Sequence, residues 1–199
     1  MEKTYEQKFE ERLRIQTKLI KRGIDAKVPF MEDACIEAFE KEMLRIGKEK
    51  GNIDVLEWGS GTSTKHFPDL LEKNGIKFTW DSIEYDIRWY DALKKLTFPK
   101  GVKMYLFDEE ILRIDDRRAL RGFPMDKYVN FPDTLNKKYD LIFVDGTKRV
   151  RCMKKALKLL KPDGVVILHD AHRVAYTEGI NLYNGKRLTH MLWLGKLKQ

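Results

Sequence analysis

Short apolar runs alternate with helical segments from residue 52 onwards, and this alternation restricts the fold more than any other feature. The apolar runs are IDVLEW, FTWDSIEY, VKMYLFD, YDLIFVDG and GVVILHDA, and stretches such as KHFPDLLEKNG and DIRWYDALKKL separate them. Strands that alternate with helices build βαβ units, which form a parallel sheet covered by helices on both faces. The sequence therefore predicts an α/β protein with a Rossmann-like, doubly wound, mostly parallel sheet.

The two ends of the chain depart from this alternation. Apolar residues recur at helical spacing over residues 5–20 and 31–48, which predicts an N-terminal helical arm over residues 1–50, packed on one domain formed by residues 51–199. Near the C-terminus, NLYNGKRLTHMLWLG predicts a closing pair of strands separated by Asn184-Gly185 and polar residues. Residues 109–138 break the rhythm, which predicts a partly helical crossover or an insertion over the site.

Composition restricts the class of protein. The chain has 199 residues, 42% of them hydrophobic, which suffices for one sizeable core. No apolar run approaches the roughly 20 residues of a membrane helix, and the N-terminus lacks the apolar stretch of a signal peptide. We therefore expect a soluble, cytoplasmic protein without a membrane partner. Cys35 and Cys152 are too far apart to indicate a disulfide framework or a zinc site.

The chain is basic, with 39 Lys and Arg against 31 Asp and Glu and a net charge of +8. This charge is compatible with nucleic acid or an anionic substrate as a partner, although a lysine-rich solvated surface is the simpler explanation. A basic cluster within residues 148–161 could contact RNA phosphates, but such charges more often form the solvated face of an outer helix. RNA therefore stays an alternative to a small-molecule or glycan partner.

A loop with two glycines, GSGTS, follows the first predicted strand. In a doubly wound sheet, ligands bind at the carboxyl ends of the strands, and glycines let a ligand lie against the backbone. The dinucleotide fingerprint needs a third glycine where this chain has Thr64, and the P-loop pattern is absent. The loop therefore favours a small-molecule ligand other than a dinucleotide. A nucleotide-dependent oxidoreductase would require the loop to accept a diphosphate.

Acidic residues end the first three predicted strands, namely Glu57, Glu84 and Asp108. At the end of the second strand, the carboxylate of Glu84 can accept hydrogen bonds from both hydroxyls of a ribose. At the end of the third strand, Asp108 is positioned to meet an adenine amino group. Together the three acids suit a ligand with a ribose, an exocyclic amine and a positive charge.

These segments resemble the class I S-adenosylmethionine-dependent methyltransferases. LEWGSGTST is similar to their first motif, SIEYDIRWYDAL to their second, and YDLIFVDGTKRVRCMKKALKLLKPDGVVILHD to their fourth-strand to fifth-strand segment. Small bacterial and archaeal methyltransferase-like proteins carry an E-W-G-S-G-x-S-T loop of this kind. The resemblance covers residues 53–196 and implies a seven-stranded sheet and S-adenosyl-L-methionine as the cofactor.

The same resemblance implies where the cofactor binds. Glu57, Gly59 and Gly61 would line its methionine part, Glu84 would hold the ribose, and Asp108 would lie near the adenine. The full set of cofactor-binding residues expected is Glu57, Gly59, Ser60, Gly61, Ser63, Glu84, Tyr85, Asp108 and Asp145. Ser63 stands where many relatives have a third glycine, which is expected to alter the loop but keep the pocket.

Later strand ends should form the acceptor side. Asp145, Asp170 and His172 are the candidate catalytic residues, because a hydroxyl acceptor must lose its proton to a general base. Lys148 and Arg173 are the candidates for binding the substrate. In metal-dependent O-methyltransferases, an Asp and an Asp-Asn pair hold a divalent cation, but an alanine replaces the Asn here. Asp145, Asp170 and His172 would form an incomplete site, so a divalent metal is not favoured.

The acceptor expected is an oxygen of a small or sugar-like molecule. Methylation of exocyclic amines in nucleic acids usually goes with an N-P-P-Y motif, whereas this chain has V-D-G-T after the fourth strand. Cytosine carbon methylation needs a nucleophilic cysteine, and neither cysteine qualifies. The sequence therefore predicts S-adenosylmethionine-dependent O-methylation. An RNA-directed methyltransferase, a non-catalytic cofactor-binding protein and a homo-oligomer stay open alternatives.

Overall fold

The computed structural model describes residues 28–107 and 125–198, together with residues 4, 7, 14, 18, 20–22 and 24–25. Seven strands within these residues form one sheet. The strands are β1 (Asn52–Trp58), β2 (Lys77–Glu84), β3 (Val102–Leu106), β4 (Tyr139–Val144), β5 (Leu160–Leu168), β6 (Asn184–Arg187) and β7 (Trp193–Lys196). The helices are α1 (Asp33–Lys50), α2 (Ser63–Lys73), α3 (Ile87–Leu93), α4 (Asp126–Asn130), α5 (Arg149–Leu159) and α6 (Thr177–Ile180).

The strand order in the sheet is β3-β2-β1-β4-β5-β7-β6. Strands β1 to β5 run parallel, while β7 pairs antiparallel with both β5 and β6. The predicted mostly parallel, seven-stranded, doubly wound sheet is thus confirmed. The order of the strands reverses between β1 and β4, and crevices at such points are where open α/β sheets bind ligands.

Alternate residues of the central strands face two separate hydrophobic clusters, as the period of two in a strand requires. Helices α4 and α5 pack on the face formed by Leu56, Trp58, Ile142, Val144, Val166 and Leu168. Helices α1 and α2 pack on the face formed by Ile53, Val55, Leu141, Phe143, Val165 and Ile167. The central strands read as continuous apolar runs because helices bury both of their faces.

Helix α1 lies where the sequence predicts it. Its buried stripe contains Cys35, Phe39, Met43 and Ile46, and Gly51 ends the helix in the left-handed conformation with φ of 69°. Of the predicted helix over residues 5–20, positions 7, 14, 18 and 20 are described and are helical, and the remainder lies outside the described residues. Among the described helices, none has both the length and the apolar character needed to cross a membrane.

The described part of residues 109–138 is helical and belongs to the core. Helix α4 and the 3₁₀ helix Phe131–Leu135 follow one another directly, and Met125, Tyr128 and Val129 are buried. Trp58 Nε1 donates a hydrogen bond to the carbonyl of Tyr128 at 3.3 Å. Residues 125–138 therefore form part of a crossover, while residues 109–124 lie outside the described residues.

The predicted closing pair of strands is present, but its turn is not at Asn184-Gly185. Both residues belong to β6, and the chain reverses after it, where the backbone N–H of Leu188 donates to the carbonyl of Leu192 at 2.8 Å. A Cβ on Gly185 would lie 2.2 Å from Cζ2 of Trp193. This glycine therefore permits close packing under an aromatic ring. The sequence around it does not show whether a glycine serves such packing or a turn.

Near the amino-terminal ends of the strands, lysines and aspartates form a network of ion pairs. Lys161 Nζ lies 2.9 Å from Asp54 and 2.7 Å from Asp140, and Lys137 Nζ lies 3.0 Å from Asp81 and 3.2 Å from Asp54. Burial alone would raise the pKa of Asp54, but its hydrogen bonds to Thr79 and Lys161 and the charge of Lys137 lower it. This network lies at the edge of the sheet opposite to the carboxyl ends of the strands.

Candidate functional site

A cavity of about 1280 Å³ opens at the carboxyl ends of β1, β2, β4 and β5. Residues of the loops after these four strands line it, together with residues 29–32, which precede α1. Pockets for drug-sized ligands typically measure about 300–1000 Å³. The cavity therefore has room for a nucleoside and for a second, small molecule beside it.

The backbone of the loop after β1 lies directly against the backbone of the loop after β4. Gly59 has φ of 97°, and a Cβ at this position would lie 2.4 Å from the backbone N of Gly146. The N–H of Gly59 donates to the carbonyl of Ile83 at 2.9 Å. Only glycine combines this dihedral angle with such an approach, so Gly59 fixes the shape of the cavity floor.

Glu57 lies behind this loop rather than in the cavity wall. It is fully buried, and its carboxylate accepts hydrogen bonds from Ser63 Oγ at 2.6 Å, Thr64 Oγ1 at 2.7 Å, Ser82 Oγ at 2.7 Å and Trp80 Nε1 at 2.9 Å. Burial raises the pKa of Glu57 even though these four donors oppose the shift. A buried carboxylate must be satisfied by donors. The hydroxyls after Gly61 therefore fold back onto Glu57, which corrects the expected contact with the methionine part of a cofactor.

Glu84 offers one free oxygen to the cavity. Its side chain is buried in the cavity wall, and Oε1 accepts hydrogen bonds from the backbone N–H groups of Tyr85 at 2.8 Å and Asp86 at 2.7 Å. No donor among the described residues bonds to Oε2. Burial raises the pKa of Glu84 to about 8, and the charge of Asp86 adds to this shift. Once it has lost its proton, the group offers the cavity an acceptor oxygen for which a ligand hydroxyl is a suitable donor.

Most of the other expected cofactor-binding residues also line the cavity. Ser60 Oγ lies 2.7 Å from Ser82 Oγ, and the ring of Tyr85 packs edge-on against Tyr128 with 5.8 Å between centroids. The lining residues of the expected set are Gly59, Ser60, Gly61, Ser63, Glu84, Tyr85 and Asp145. Asp108 lies outside the described residues. The structure therefore brings seven of the expected residues together in one cavity, and these residues follow three different strands in the sequence.

Arg149, the first residue of α5, ties the loops after β4 and β5 together. Its guanidinium donates to the carbonyls of Gly146 at 2.9 Å, Asp145 at 2.7 Å and His169 at 2.5 Å. It also lies 3.0 Å from the carboxylate of Asp145 and 3.3 Å from that of Asp170. In the sequence this arginine is indistinguishable from the basic residues after it, so its role was not predicted.

His169, rather than His172, lies beside Asp145 in the cavity wall. Nδ1 of His169 lies 2.9 Å from Oδ1 of Asp145, and His169 lines the cavity. His172 is exposed, stacks on His190 with 5.3 Å between the ring centroids, and does not line the cavity. Asp170 has φ of 58°, so the chain turns between the two histidines and carries His172 away. The expected catalytic role of His172 is therefore corrected.

A divalent cation does not fit the arrangement of the acidic side chains. Ligand atoms of Asp145, His169 and Asp170 lie within 4.8 Å of one another, a group that contains His169 instead of the expected His172. However, Arg149 already contacts both carboxylates, and Arg173 Nη2 lies 2.8 Å from Asp170 Oδ2. A cation between them would be repelled by two guanidinium groups. These side chains therefore act as a neutralised polar cluster.

Both residues expected to bind the substrate lie in the cavity wall. Lys148 adopts a left-handed conformation with φ of 51° directly before α5, and burial and the charge of Arg151 lower its pKa. Arg173 is half exposed and paired with Asp170. Their positions in the wall are as predicted, and their contact with an acceptor stays a prediction.

Comparisons with known proteins identify the fold. No family model and no curated protein matches the sequence. The methyltransferase-like protein spo2022 from Silicibacter pomeroyi is 17% identical, with a TM-score of 0.58 over 86% of this chain and 89% of that chain. Cofactor-bound Rv0187 from MTB is 15% identical, with a TM-score of 0.59 over 92% of this chain and 89% of that chain.

A third similar structure, described as cmcI-D160 Mg-SAM, is 13% identical, with a TM-score of 0.53 over 84% of this chain and 72% of that chain. Identities this low establish a shared fold and leave the activity of the chain to its own residues. The chain has the class I methyltransferase fold, with its cavity at the reversal point of the sheet.

Proposed function

We propose that the protein is an S-adenosylmethionine-dependent methyltransferase whose acceptor is an oxygen of a small-molecule or sugar-like compound. The free Oε2 of Glu84, beside the glycine loop in the wall of a large cavity, carries this proposal. A carboxylate in that place suits the two hydroxyls of a ribose. One of the similar structures supports the choice of ligand, because its description names SAM.

The residues present fit this cofactor. The backbone of Gly59 and Gly61 offers a surface without side chains, and Glu84 would hold the ribose. The cofactor supplies a methyl group activated by its positively charged sulfur. The protein then has to align an acceptor with that methyl group and keep water away.

The basic face of α5 supports a small acceptor better than an RNA acceptor. Arg151 pairs with Asp126, Lys154 with Glu178, and Lys155 Nζ lies 2.6 Å from Asp133. Partners within the chain thus offset much of the positive charge that would otherwise attract phosphates. Lys148 and Arg173, in the cavity wall, instead suit an anionic or polyhydroxylated small molecule. An RNA acceptor and a homo-oligomer are the less supported proposals.

Replacing Glu84 by alanine is expected to weaken the binding of S-adenosylhomocysteine by about 10- to 100-fold, because a hydrogen bond to a charged group contributes about 1.5–3 kcal/mol. Calorimetric titration of both proteins with S-adenosylmethionine and S-adenosylhomocysteine measures this. Glu72→Ala, which removes an exposed carboxylate on α2, is the control and should bind normally. A folded wild type that binds NAD but neither of these ligands would contradict the proposal.

The affinity for S-adenosylhomocysteine should rise with pH. Below about pH 8 the carboxyl of Glu84 is mostly protonated in the ligand-free protein, since burial raises its pKa to about 8. It must lose that proton before both ribose hydroxyls can donate to it. Affinity should therefore rise by at most about tenfold per pH unit and level off above about pH 8. Calorimetric titrations of the wild type and Glu84→Gln with S-adenosylhomocysteine at several pH values check this. Groups of the ligand that titrate affect both proteins equally, so they cancel in the difference between the two affinities. Equal slopes would contradict it.

A further inference from the structure

We infer that His169 accepts the proton of the acceptor hydroxyl and that Asp145 is its positioning residue, an inference that rests on the proposed function. Nδ1 of His169 lies 2.9 Å from Oδ1 of Asp145. The other ring nitrogen, Nε2, is buried and has no hydrogen-bond partner among the described residues. His169 itself lines the cavity. One nitrogen is thus held in place while the other is left without a partner.

The contacts of Asp145 determine which ring nitrogen carries the proton. Arg149 Nη2 lies 3.0 Å from Asp145 Oδ1, so the carboxylate beside Nδ1 is itself held by a guanidinium. A carboxylate can only accept, so Nδ1 of a neutral His169 must be the protonated nitrogen. Nε2 then holds a lone pair and acts as a hydrogen-bond acceptor and a base. The identity of the tautomer follows from the partner of Nδ1.

Leaving Nε2 unpaired is unfavourable in the ligand-free protein. A buried polar atom without a partner costs about 1–3 kcal/mol, and most such atoms in folded proteins are satisfied. A ligand hydroxyl that donates to Nε2 would remove this cost. Nε2 is therefore the atom for which we infer a ligand hydroxyl as the missing donor.

The other candidate bases in the described part of the chain are less suitable. Asp170 already forms ion pairs with Arg173 at 2.8 Å and with Arg149 at 3.3 Å. Tyr128 Oη is also buried without a partner, but Tyr128 does not line the cavity. Glu84 also has a free oxygen in the wall, but that oxygen is assigned to the ribose. Among the other described residues of the wall, His169 combines an orienting partner with a free acceptor atom.

The proton transfer can be written with all atoms accounted for. The acceptor hydroxyl gives its proton to Nε2, and His169 becomes an imidazolium whose charge Asp145 stabilises. The electron pair of the acceptor oxygen forms the new bond to carbon, while the carbon–sulfur bond of the sulfonium methyl donor breaks and leaves its pair on sulfur. The products are a methyl ether and a thioether. The imidazolium then returns its proton to solvent. The substrate class is an alcohol or a phenol that is not ionised before it binds.

The tautomer of His169 tests this inference without any turnover. In the full-length protein labelled with ¹⁵N-histidine, NMR spectra should show the proton of neutral His169 on Nδ1, with the assignment taken from the signal that His169→Gln removes. In Asp145→Asn, the amide can donate to Nδ1, so the proton should move to Nε2. A protein that merely needed Asp145 for folding would not show this reversal. His172→Gln is the control and should leave the His169 signals unchanged.

Two results would overturn the inference. The first is a proton on Nε2 of neutral His169 in the wild type. If S-adenosylhomocysteine still binds to that protein, the inference about His169 is wrong but the proposed function stands. Absence of S-adenosylhomocysteine binding to the folded wild type would overturn both proposals together. In assays with a panel of simple phenols and sugars, His169→Gln should methylate any acceptor of the wild type about 10²- to 10⁴-fold more slowly. It should still bind S-adenosylhomocysteine with an affinity near that of the wild type.

Discussion

Replacing Gly59 by alanine is expected to abolish measurable binding of S-adenosylhomocysteine and to lower the free energy of unfolding by several kcal/mol. The side chain would be strained at φ of 97°, which costs about 1–3 kcal/mol. In addition, its Cβ would lie 2.4 Å from the backbone N of Gly146, and a backbone atom cannot yield as a flexible side chain can. The loops after β1 and β4 would have to separate, and the cavity floor would change shape.

Gly51→Ala separates the two causes. Gly51 also has a positive φ, of 69°, but a Cβ there would meet no atom within 4 Å. This control should lose only about 1–2 kcal/mol through backbone strain and should bind the ligand as the wild type does. Denaturant unfolding and calorimetric titration measure both properties. If Gly59→Ala behaved like Gly51→Ala in both experiments, the close contact between the two loops would not be needed for the shape of the cavity or for ligand binding.

Arg149→Met should destabilise the protein by about 2–4 kcal/mol, somewhat less than the loss of one partner of a fully buried ion pair, because Arg149 and Asp145 are partly exposed to the cavity. The substitution would leave Asp145 and Asp170 without the guanidinium that contacts both. Three backbone carbonyls, of Asp145, Gly146 and His169, would also lose their donor. Denaturant unfolding measures the loss. The matched control is Arg45→Met, because Arg45 also pairs with two carboxylates, but on the exposed face of α1. It should cost less than about 1 kcal/mol.

The same substitution should create a cation site. Once the guanidinium is gone, Asp145, His169 and Asp170 offer ligand atoms within 4.8 Å of one another and carry an unbalanced negative charge. Titration with Mn²⁺, followed by electron paramagnetic resonance, should detect binding to Arg149→Met and far weaker binding to the wild type. Arg149→Lys keeps a positive charge and is the control. It should bind Mn²⁺ as weakly as the wild type. Tight binding by the wild type would show that Arg149 does not occupy the place of a cation.

The sheet could be predicted because its signal is repeated along the chain. Each central strand is buried on both faces, so each appears as an uninterrupted apolar run, and helical segments separate the runs. In such a fold, all carboxyl ends of the parallel strands lie at one edge. This is why Gly59, Glu84 and Asp145 could be assigned to one cavity although they are far apart in the sequence.

The directions in which individual side chains point, and the local shape of the backbone, could not be predicted from the same pattern. His169 lies in the cavity wall instead of His172 because the backbone of Asp170 is left-handed. A glycine often marks such a conformation in a sequence, but no glycine is next to Asp170. Glu57 ends its strand just as Glu84 does, yet it faces inward, because the hydroxyls that satisfy it come from α2 and β2. A spacing rule specifies the strand end on which a carboxylate lies. It does not specify the side of the loop to which the carboxylate points.

The ion-pair network of Asp54, Asp140, Lys137 and Lys161 lies at the far ends of the strands from the cavity. Networks of this kind stabilise proteins more effectively as temperature rises, because the cost of dehydrating charged groups falls. The ion pairs and the cavity therefore occupy separate parts of the molecule. Selection can alter the loops around the cavity without weakening this network. A variant with a reshaped cavity need not lose what these ion pairs contribute to stability at high temperature.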